Sequence, residues 1–174
     1  MKFEKDRFLA GLRSINPDLK LLEGERKNTF LAWMQISGIP AELARDLADS
    51  IPSEYVTFRP CGYIYEDDAI MDSNEEYKKM MESGYLQVGH APNGDQIVID
   101  FKNDGRSGYI SHDEFYESYE EENEGMDVEE MFIPLSESLD GMVESLIHDP
   151  DFPIDSYEAF EKQDANKTRE DNSE

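Results

Sequence analysis

The most regular hydrophobic pattern in this chain is a two-residue alternation near its middle. Three apolar residues alternate there with the positions of Gln96, Val98 and Asp100: Ile97, Ile99 and Phe101. This is the period of a strand that buries one face. The preceding Asn93-Gly94 pair indicates a tight β-hairpin, because both positions of such a turn favour positive φ. With a second turn at 103–106 and a strand at 108–112, residues 86–112 predict a β-meander.

The segments before the meander show the three-to-four-residue spacing of amphipathic helices. This spacing predicts helices over 3–15, 28–35 and 40–51. The third has Pro40 in its first turn, where proline is favourable, and ends before Pro52. Two strand-like runs follow around a Pro-Cys-Gly break: 54–59 and 62–66.

Two more helices are predicted from capping residues and apolar faces. Ser73 and Glu76 match a capping box for a helix over 74–82, ended by Gly84. The last predicted helix has Ser136 as a plausible cap. Its apolar face is continuous: Leu139, Met142, Val143, Leu146 and Ile147.

Residues 103–114 match part of the spacing of a calcium-binding loop. Gly108 and Glu114 take the places of the turn glycine and of the closing carboxylate of an EF-hand. The first, third and fifth positions hold Asn103, Gly105 and Ser107, so only one ligating position carries a carboxylate. That is too little charge to hold a hard dication, and a strand pattern precedes the segment instead of a helix. We expect no metal ion and no cofactor.

The chain is strongly acidic, and its charge is uneven. It has 41 acidic and 16 basic residues, for a net charge of −25. Residues 1–30 carry net +2, so the remainder carries −27. Such a body repels nucleic acid and anionic membranes and attracts basic proteins in a fast, salt-sensitive encounter. We expect a basic protein partner, no nucleic acid and no membrane, although the acidity could also serve solubility alone.

The length and the cysteine content place the protein in a broad class. A chain of 174 residues is long enough for one domain with a real core. The single cysteine, Cys61, excludes an internal disulfide and favours a reducing compartment. Since no apolar run approaches the roughly eighteen residues of a membrane span, we expect a soluble, cytoplasmic protein.

The residue types that usually carry catalysis are not arranged for it. Cys61 would need His90 or His112 beside it to act as a nucleophile, and a small buried thiol is the simpler interpretation. The histidines, which also include His148, lack metal-ligand spacing. The sequence contains no glycine-rich phosphate loop, nucleophile elbow or zinc motif. We therefore predict that the protein is not an enzyme.

The acidic run 113–130 is the main candidate for a binding surface. It has ten acids and no base, with aromatic residues interleaved. Aromatic side chains supply buried contact area and carboxylates meet a basic partner, but a solvated loop is the alternative, because like charges repel one another. The candidate partner-binding residues are Tyr116, Tyr119, Glu120, Glu121, Glu122, Glu124 and Asp127. The next candidate is the acidic turn Glu66, Asp67 and Asp68.

The order of these segments resembles the SUKH superfamily, which includes immunity proteins of bacterial toxin systems and fungal regulators of cell-wall synthesis. The similar segments are "IPAELARDL", "CGYIY", "AIMDSNEEY", "VGHAPNGDQIVIDF", "GRSGYISHDE" and the helix after "FIPLSESL", within residues 38–148. The positions that match the family's pattern are Gly89, Gly94, Asp95, Asp100, His112 and Asp113. The first 37 residues and the acidic run 113–130 depart from it.

The resemblance implies an α+β fold in which helices pack around a mainly antiparallel sheet with the β-meander at its core. With it we expect a SUKH-like domain over 38–162 after an N-terminal helical extension, 1–37. The C-terminal residues contain almost no apolar side chain, so we expect a disordered acidic tail over 163–174. Asp95 and Asp100 would then be hydrogen-bonding residues of turns and strand ends.

By the same resemblance, the expected function is non-catalytic protein binding. The leading hypothesis is an immunity protein that neutralises a cognate toxin of basic, nuclease type, because nuclease surfaces are positive where they bind phosphates. The alternative is a housekeeping regulatory or scaffold protein of the same superfamily without a toxin partner. Mimicry of nucleic acid by the acidic face is a third hypothesis.

Overall fold

The structure is a computed structural model that describes residues 2–58, 62–120 and 125–171. The described helices are α1 (Lys5–Ile15), α2 (Gly24–Ile36), α3 (Ala41–Ala48), α4 (Asp67–Glu76), α5 (Lys78–Glu82), α6 (His112–Glu120), α7 (Val128–Met131), α8 (Leu139–His148) and α9 (Ser156–Asp171). The described strands are β1 (Val56–Phe58), β2 (Gly62–Ile64), β3 (Tyr85–His90), β4 (Gln96–Asp100), β5 (Arg106–Ile110) and β6 (Phe132–Ser136). The fold is α+β, as expected.

The six strands form one antiparallel sheet in which spatial order follows chain order from β1 to β6. The predicted meander is confirmed as β3, β4 and β5, and residues 103–114 span a hairpin turn, β5 and the start of α6. The prediction of a single buried face for β4 was wrong, since all five of its residues are buried. β4 lies between two other strands and helices cover both faces of the sheet, so alternation in the sequence did not report exposure.

The larger core lies on one face of the sheet, under α1, α2, α3 and α8. It contains Leu86, Val88, Ile97 and Ile99 from the strands. The N-terminal helices contribute to the same cluster: Phe8, Leu12, Phe30 and Met34 are all completely buried. The segment 1–37, expected as an extension, therefore packs into the body of the fold, and α2 begins at Gly24, before its predicted start.

A smaller core lies on the other face, under α5, α6 and α7. Its members are Met80, Tyr85, Val98, Ile110, Phe115, Met126, Val128 and Phe132. The alternative of a solvated loop over 113–130 was wrong for the described part, which includes α6 and α7 and leads into β6. Phe115, Met126 and Val128 are all buried in this smaller core. Their burial against the sheet holds α6 and α7 in place.

The helix predicted over 74–82 is two helices with different bounds. α4 begins at Asp67, and α5 follows after a break at Tyr77. The buried Asp67 receives Nε and Nη2 of Arg26 at 2.9 and 2.5 Å, which fixes the start of α4 against α2. A carboxylate also complements the positive end of the helix dipole. The proposed Ser73 cap lies inside α4 and is not a helix start.

α4 also replaces part of the hydrogen bonding between strands. Only two residue pairs join β2 to β3. Beyond them, the buried side-chain amide of Asn74 accepts from Gln87 N at 2.9 Å and donates to Gln87 O at 2.8 Å. The side-chain amide of Asn74 thus forms the hydrogen bonds to the β3 backbone that a neighbouring strand would otherwise form. β2 diverges from β3 at this point.

The C-terminal helices also differ from the predicted bounds. The apolar face of α8 is confirmed, but its cap is Ser138, whose Oγ accepts from Gly141 N at 3.3 Å, and Ser136 ends β6. In the segment expected as a disordered tail, 163–174, the structure continues α9 to Asp171. Tyr109 donates to Pro153 O at 2.9 Å and the side chain of Ala159 is fully buried, so the start of α9 is held to the body.

The turn between β3 and β4 is longer than the tight hairpin that Asn93-Gly94 indicated. Five residues connect the strands, and of the pair Asn93-Gly94 only Gly94 has positive φ, at 95°. Gly94 N donates to Ala91 O at 3.0 Å, which closes a four-residue turn with Pro92 in its second position. Proline is favourable at that position because its φ is already set.

Asp95, at the end of this turn, joins three separate segments. Its buried carboxylate accepts from His112 N at 3.0 Å and from Ser156 N at 2.8 Å, which are the first residues of α6 and α9. It also receives Asn93 Nδ2 at 2.9 Å and lies 2.7 Å from His112 Nδ1. Burial alone would raise the pKa of Asp95, but the hydrogen bonds from Ser156, His112 and Asn93 outweigh it and hold the pKa below its ordinary value.

We expect Asp95→Asn to destabilise the protein by about 3 kcal/mol, because an amide cannot accept all of these hydrogen bonds and one donor group stays buried without a partner. The lowered pKa also has a pH consequence. The carboxylate contributes stability above its unfolded pKa of about 4, and this contribution is lost as the pH falls through the folded pKa. Urea unfolding between pH 3 and pH 7 measures both effects.

The exposed Asp72 provides the control for this measurement. Asp72→Asn should leave the unfolding midpoint nearly unchanged. Equal midpoints for Asp95→Asn and the parent protein at pH 7 would contradict the anchoring role of Asp95.

Candidate functional site

A group of aromatic side chains extends from β2 across the second face of the sheet to α6. Tyr63 and His90 are cross-strand partners, and Tyr65, two residues after Tyr63, lies on the same side. We call this group the aromatic surface. Its members are Tyr55, Tyr63, Tyr65, Tyr77, His90, Tyr116 and Tyr119.

The half of the aromatic surface next to β2 encloses a cavity of about 290 Å³. The rings of Tyr55 and Tyr63 lie 5.3 Å apart at an angle of 72°, and the rings of Tyr63 and His90 lie 4.7 Å apart. Tyr65 completes the wall, with its ring 5.3 Å from that of His90. Several aromatic faces and edges therefore border one opening.

The ionisable groups around this cavity are mostly neutral at physiological pH. Burial lowers the pKa of His90 below its ordinary value of 6.5, so its imidazole is uncharged at pH 7. Burial, with the nearby Tyr116 phenol, raises the pKa of Tyr65 to about 12. The Tyr65 hydroxyl lies 2.7 Å from His90 Nδ1 and fixes the orientation of both rings.

Glu66 also lines the cavity, immediately before α4. Its backbone has the extended conformation of an N-cap residue, yet its side chain forms no capping hydrogen bond. Among the described residues, its Oε2 atom is buried and has no hydrogen-bond partner. A buried carboxylate oxygen in this condition has a strong unmet preference for a donor.

The other half of the aromatic surface is formed by α6 and Tyr77. The ring of Tyr77 lies 5.0 Å from that of Tyr116 and 5.3 Å from that of Tyr119. Phe115 is fully buried behind them, 5.7 Å from Tyr77. Burial, then hydrogen bonding to Glu76, raises the pKa of Tyr77 to about 12. Tyr119 is 42% exposed, so part of this cluster faces solvent.

The acidic turn 66–68 does not present three equivalent carboxylates. Asp67 is buried and paired with Arg26, which makes it a structural residue. Asp68 is exposed, and Glu66 faces the cavity. Of the three predicted binding residues, Glu66 and Asp68 are placed to meet a partner.

The acids of the run 113–130 lie beside the aromatic surface where the structure describes them. Asp113, Glu114 and Glu117 are exposed on α6. Asp127 caps α7 by accepting from Glu129 N at 3.0 Å. Four acidic side chains border a cavity of about 400 Å³ between α6 and α7: Glu114, Glu117, Asp127 and Glu130. The side chain of Glu120 and the residues Glu121, Glu122 and Glu124, all predicted to bind, lie outside the described part, as does Cys61.

The remaining motif positions have structural roles. A Cβ atom on Gly89 would lie 2.2 Å from Tyr63 O, so glycine is required where β2 and β3 approach. The buried Asp100 accepts from Arg106 Nε at 2.8 Å and from Asn103 N at 3.1 Å, which closes the β4–β5 turn. His112 Nε2 lies 3.1 Å from Asp113 Oδ1.

Several basic side chains of the N-terminal helices form ion pairs within the fold. On the N-terminal helices, Lys5 pairs with Asp49 at 3.2 Å and Arg7 with Asp140 at 3.4 Å. Lys27 also contacts Asp49. The run 113–130 contains no Lys or Arg. Part of the positive charge of the N-terminal helices is thus paired within the fold.

Comparison with models of protein families, with curated proteins and with solved structures gave no match. Within residues 2–58, 62–120 and 125–171, no helix is long and apolar enough to cross a membrane. The same residues contain no group of three or more His, Cys, Asp or Glu side chains arranged to hold a metal ion.

Sequence reasoning named Tyr116 and Tyr119 of the aromatic surface and Glu66 of the cavity, but it missed the aromatic residues that border the cavity. Tyr55, Tyr63, Tyr65 and His90 were not among the predicted binding residues. A signal was present, since Tyr63 and Tyr65 alternate with Gly62 and Ile64 and must share one face of a strand. Their proximity to Tyr55 and His90 depends on sheet pairing, which the alternation does not specify.

Because α6 is part of the fold, we expect Phe115→Ala to destabilise the protein by about 3 to 4 kcal/mol through the loss of a fully buried ring. Tyr119→Ala, on the same helix but 42% exposed, should cost less than about 1 kcal/mol. Urea unfolding followed by circular dichroism compares the two variants. Equal small effects would mean that α6 does not contribute to stability.

Proposed function

We propose that this protein is a non-catalytic binding module that recognises a basic protein through the aromatic surface and the acids beside it. Its proposed role is that of an immunity protein, which neutralises a cognate bacterial toxin of nuclease type. The observation that carries the proposal is the exposure of a tyrosine ring next to carboxylates on α6. This helix belongs to the run 113–130, which contains no Lys or Arg.

The side chains of α6 have the composition of a protein-binding site. Tyrosine presents a large rigid area with a hydroxyl at its edge, and it is enriched among residues that dominate binding energy. Tyr119 is 42% exposed and its ring is supported by Tyr77 at 5.3 Å. A ring that is held in place before binding loses little conformational freedom when a partner covers it.

The charge of the protein favours a partner with a positive surface. The net charge is −25, and Asp113, Glu114 and Glu117 are exposed on α6. A nuclease must carry positive charge where it binds phosphates, so an acidic protein is attracted to that site and blocks it when bound. The resemblance of residues 38–148 to the SUKH superfamily supports the choice of an immunity protein over other acidic binding proteins.

Coexpression with the product of the neighbouring gene tests the proposal most directly. We expect that product to be toxic alone, to lose its toxicity when this protein is present, and to copurify with it as a single tight complex. No rescue and no complex would refute the immunity role. Several weak partners in a crosslinking pull-down, without one tight complex, would favour a housekeeping regulator of the same superfamily.

Removing charge from α6 should slow association with that gene product. We expect the double variant Glu114→Gln/Glu117→Gln to associate about three- to tenfold more slowly at 20 mM NaCl, with little difference at 300 mM, because exposed charges act on the encounter and are screened by salt. Stopped-flow binding at the two salt concentrations measures this effect.

The control is Glu23→Gln/Glu25→Gln, which removes the same charge at the start of α2. An equal slowing by the control variant would mean that only the total charge matters. The proposed role of α6 in the encounter would then be wrong.

Removing the exposed ring of α6 should instead speed dissociation. We expect Tyr119→Ala to weaken the complex by about 2 kcal/mol, or roughly thirtyfold, almost entirely in the dissociation rate. Tyr157→Ala is the matched control, since Tyr157 is 70% exposed on α9. If the two variants dissociate at the same rate, Tyr119 is not an anchor of the interface.

A further inference from the structure

We propose that the cavity bordered by Tyr55, Tyr63, Tyr65, Glu66 and His90 binds an arginine side chain of the basic partner. This inference deepens the proposed function and rests on it for the identity of the partner. It assigns a ligand chemistry to the half of the aromatic surface that lies away from α6.

The arrangement of the rings suits a cation. The faces of aromatic rings carry partial negative charge and attract ammonium or guanidinium groups that lie within about 6 Å of the ring centre. Tyr55 and Tyr63 are nearly perpendicular, with ring centres 5.3 Å apart, and the Tyr63 and His90 rings lie 4.7 Å apart at 45°. The rings therefore border the opening from several directions, and a side chain that enters meets more than one of them.

Glu66 supplies the charge that such a group needs. Its Oε2 atom is buried among the described residues without a hydrogen-bond partner, and the side chain borders the cavity. A cation bound in the cavity would compensate the charge of a carboxylate whose Oε2 otherwise has no hydrogen-bond donor among the described residues. A guanidinium group can donate in parallel to a carboxylate while its plane stacks on an aromatic ring, so arginine suits this combination better than lysine.

The residues that line the cavity include no Lys or Arg. Arg26, which pairs with Asp67 and is not part of the lining, also attracts Glu66. Burial lowers the pKa of His90, so its ring is neutral at pH 7, and burial raises the pKa of Tyr65 to about 12, so its phenol keeps its proton. Ala69 completes the lining. Glu66 is the one carboxylate among the residues that line the cavity, and it lies beside aromatic rings.

The size and the exposure of the cavity agree with a side chain as ligand. Its volume of about 290 Å³ accommodates a guanidinium group with part of its aliphatic stem, but not a folded peptide. Tyr55 is 59% exposed although it contacts Tyr63 edge to face. An aromatic cluster that served only to join strands would gain most by burying this ring.

The inference is tested with N-acetyl-arginine amide and its citrulline counterpart, which has nearly the same shape without the charge. We expect the arginine compound to shift the NMR signals of the tyrosine rings and of His90, with millimolar affinity. The citrulline compound should bind at least tenfold more weakly. Equal binding of the two compounds, or shifts spread over the whole acidic surface, would overturn the proposal.

Two variants of the cavity locate the binding site. Glu66→Gln removes the charge and Tyr55→Leu removes an exposed ring while keeping an apolar side chain, so neither should unfold the protein. We expect each to weaken binding of the arginine compound at least fivefold. Glu114→Gln and Tyr157→Leu are the controls outside the cavity, and a loss of binding in either that equals the loss in the cavity variants would contradict the assignment.

Failure of this inference can be told apart from failure of the proposed function. Binding of the arginine compound requires no partner protein, so it can succeed even if no toxin is neutralised. Conversely, rescue from the toxin by a protein that binds the arginine and citrulline compounds equally would retain the proposed function and refute the cavity's role.

Discussion

The carboxylate of Asp95 fixes where the helices α6 and α9 begin. It lies at the end of the β3–β4 turn and accepts hydrogen bonds from the first residues of α6 and α9 at 3.0 and 2.8 Å. Two helix starts that are 44 residues apart in sequence are thereby held at one point of the sheet. A buried carboxylate is costly unless donors surround it, and here four donor groups do so. Without this anchor, α6 would have no fixed start and its tyrosines no fixed position beside Tyr77.

The divergence of β2 from β3 explains why a cavity opens next to α4. The side-chain amide of Asn74 occupies Gln87 N and O, which are backbone groups on the β2 side of β3. The chain that continues from β2 keeps one more backbone hydrogen bond to β3, from Tyr65 N to Val88 O at 2.9 Å, and then turns at Glu66 into α4. If a strand had paired regularly with β3 along this stretch, in place of the Asn74 side chain, it would have closed this space. The cavity is thus a consequence of a polar side chain that satisfies the sheet in place of a strand.

The buried and the exposed acids of this protein have different surroundings. The buried acids are paired with donors or bases within the fold, as with Asp67 and Arg26 or Asp100 and Arg106. The exposed acids of α6 belong to a run of eighteen residues without a base. Excess negative charge destabilises a compact protein through self-repulsion, so a partner that neutralises it stabilises the protein as well as the complex.

The sequence by itself determined the β-meander, the faces of α1, α3 and α8 and the acidity of the chain. These features follow from local periodicity and composition, which act over a few neighbouring residues. Tertiary structure alone decided that β4 is buried on both faces, that residues 112–120 form a helix, and that Tyr55, Tyr63, Tyr65 and His90 border one cavity with Glu66. Each depends on contacts between residues far apart in the chain: the start of α6, for example, is held by Asp95, seventeen residues away. Half of the candidate surface was therefore visible in the sequence, and the half built by strand pairing was not.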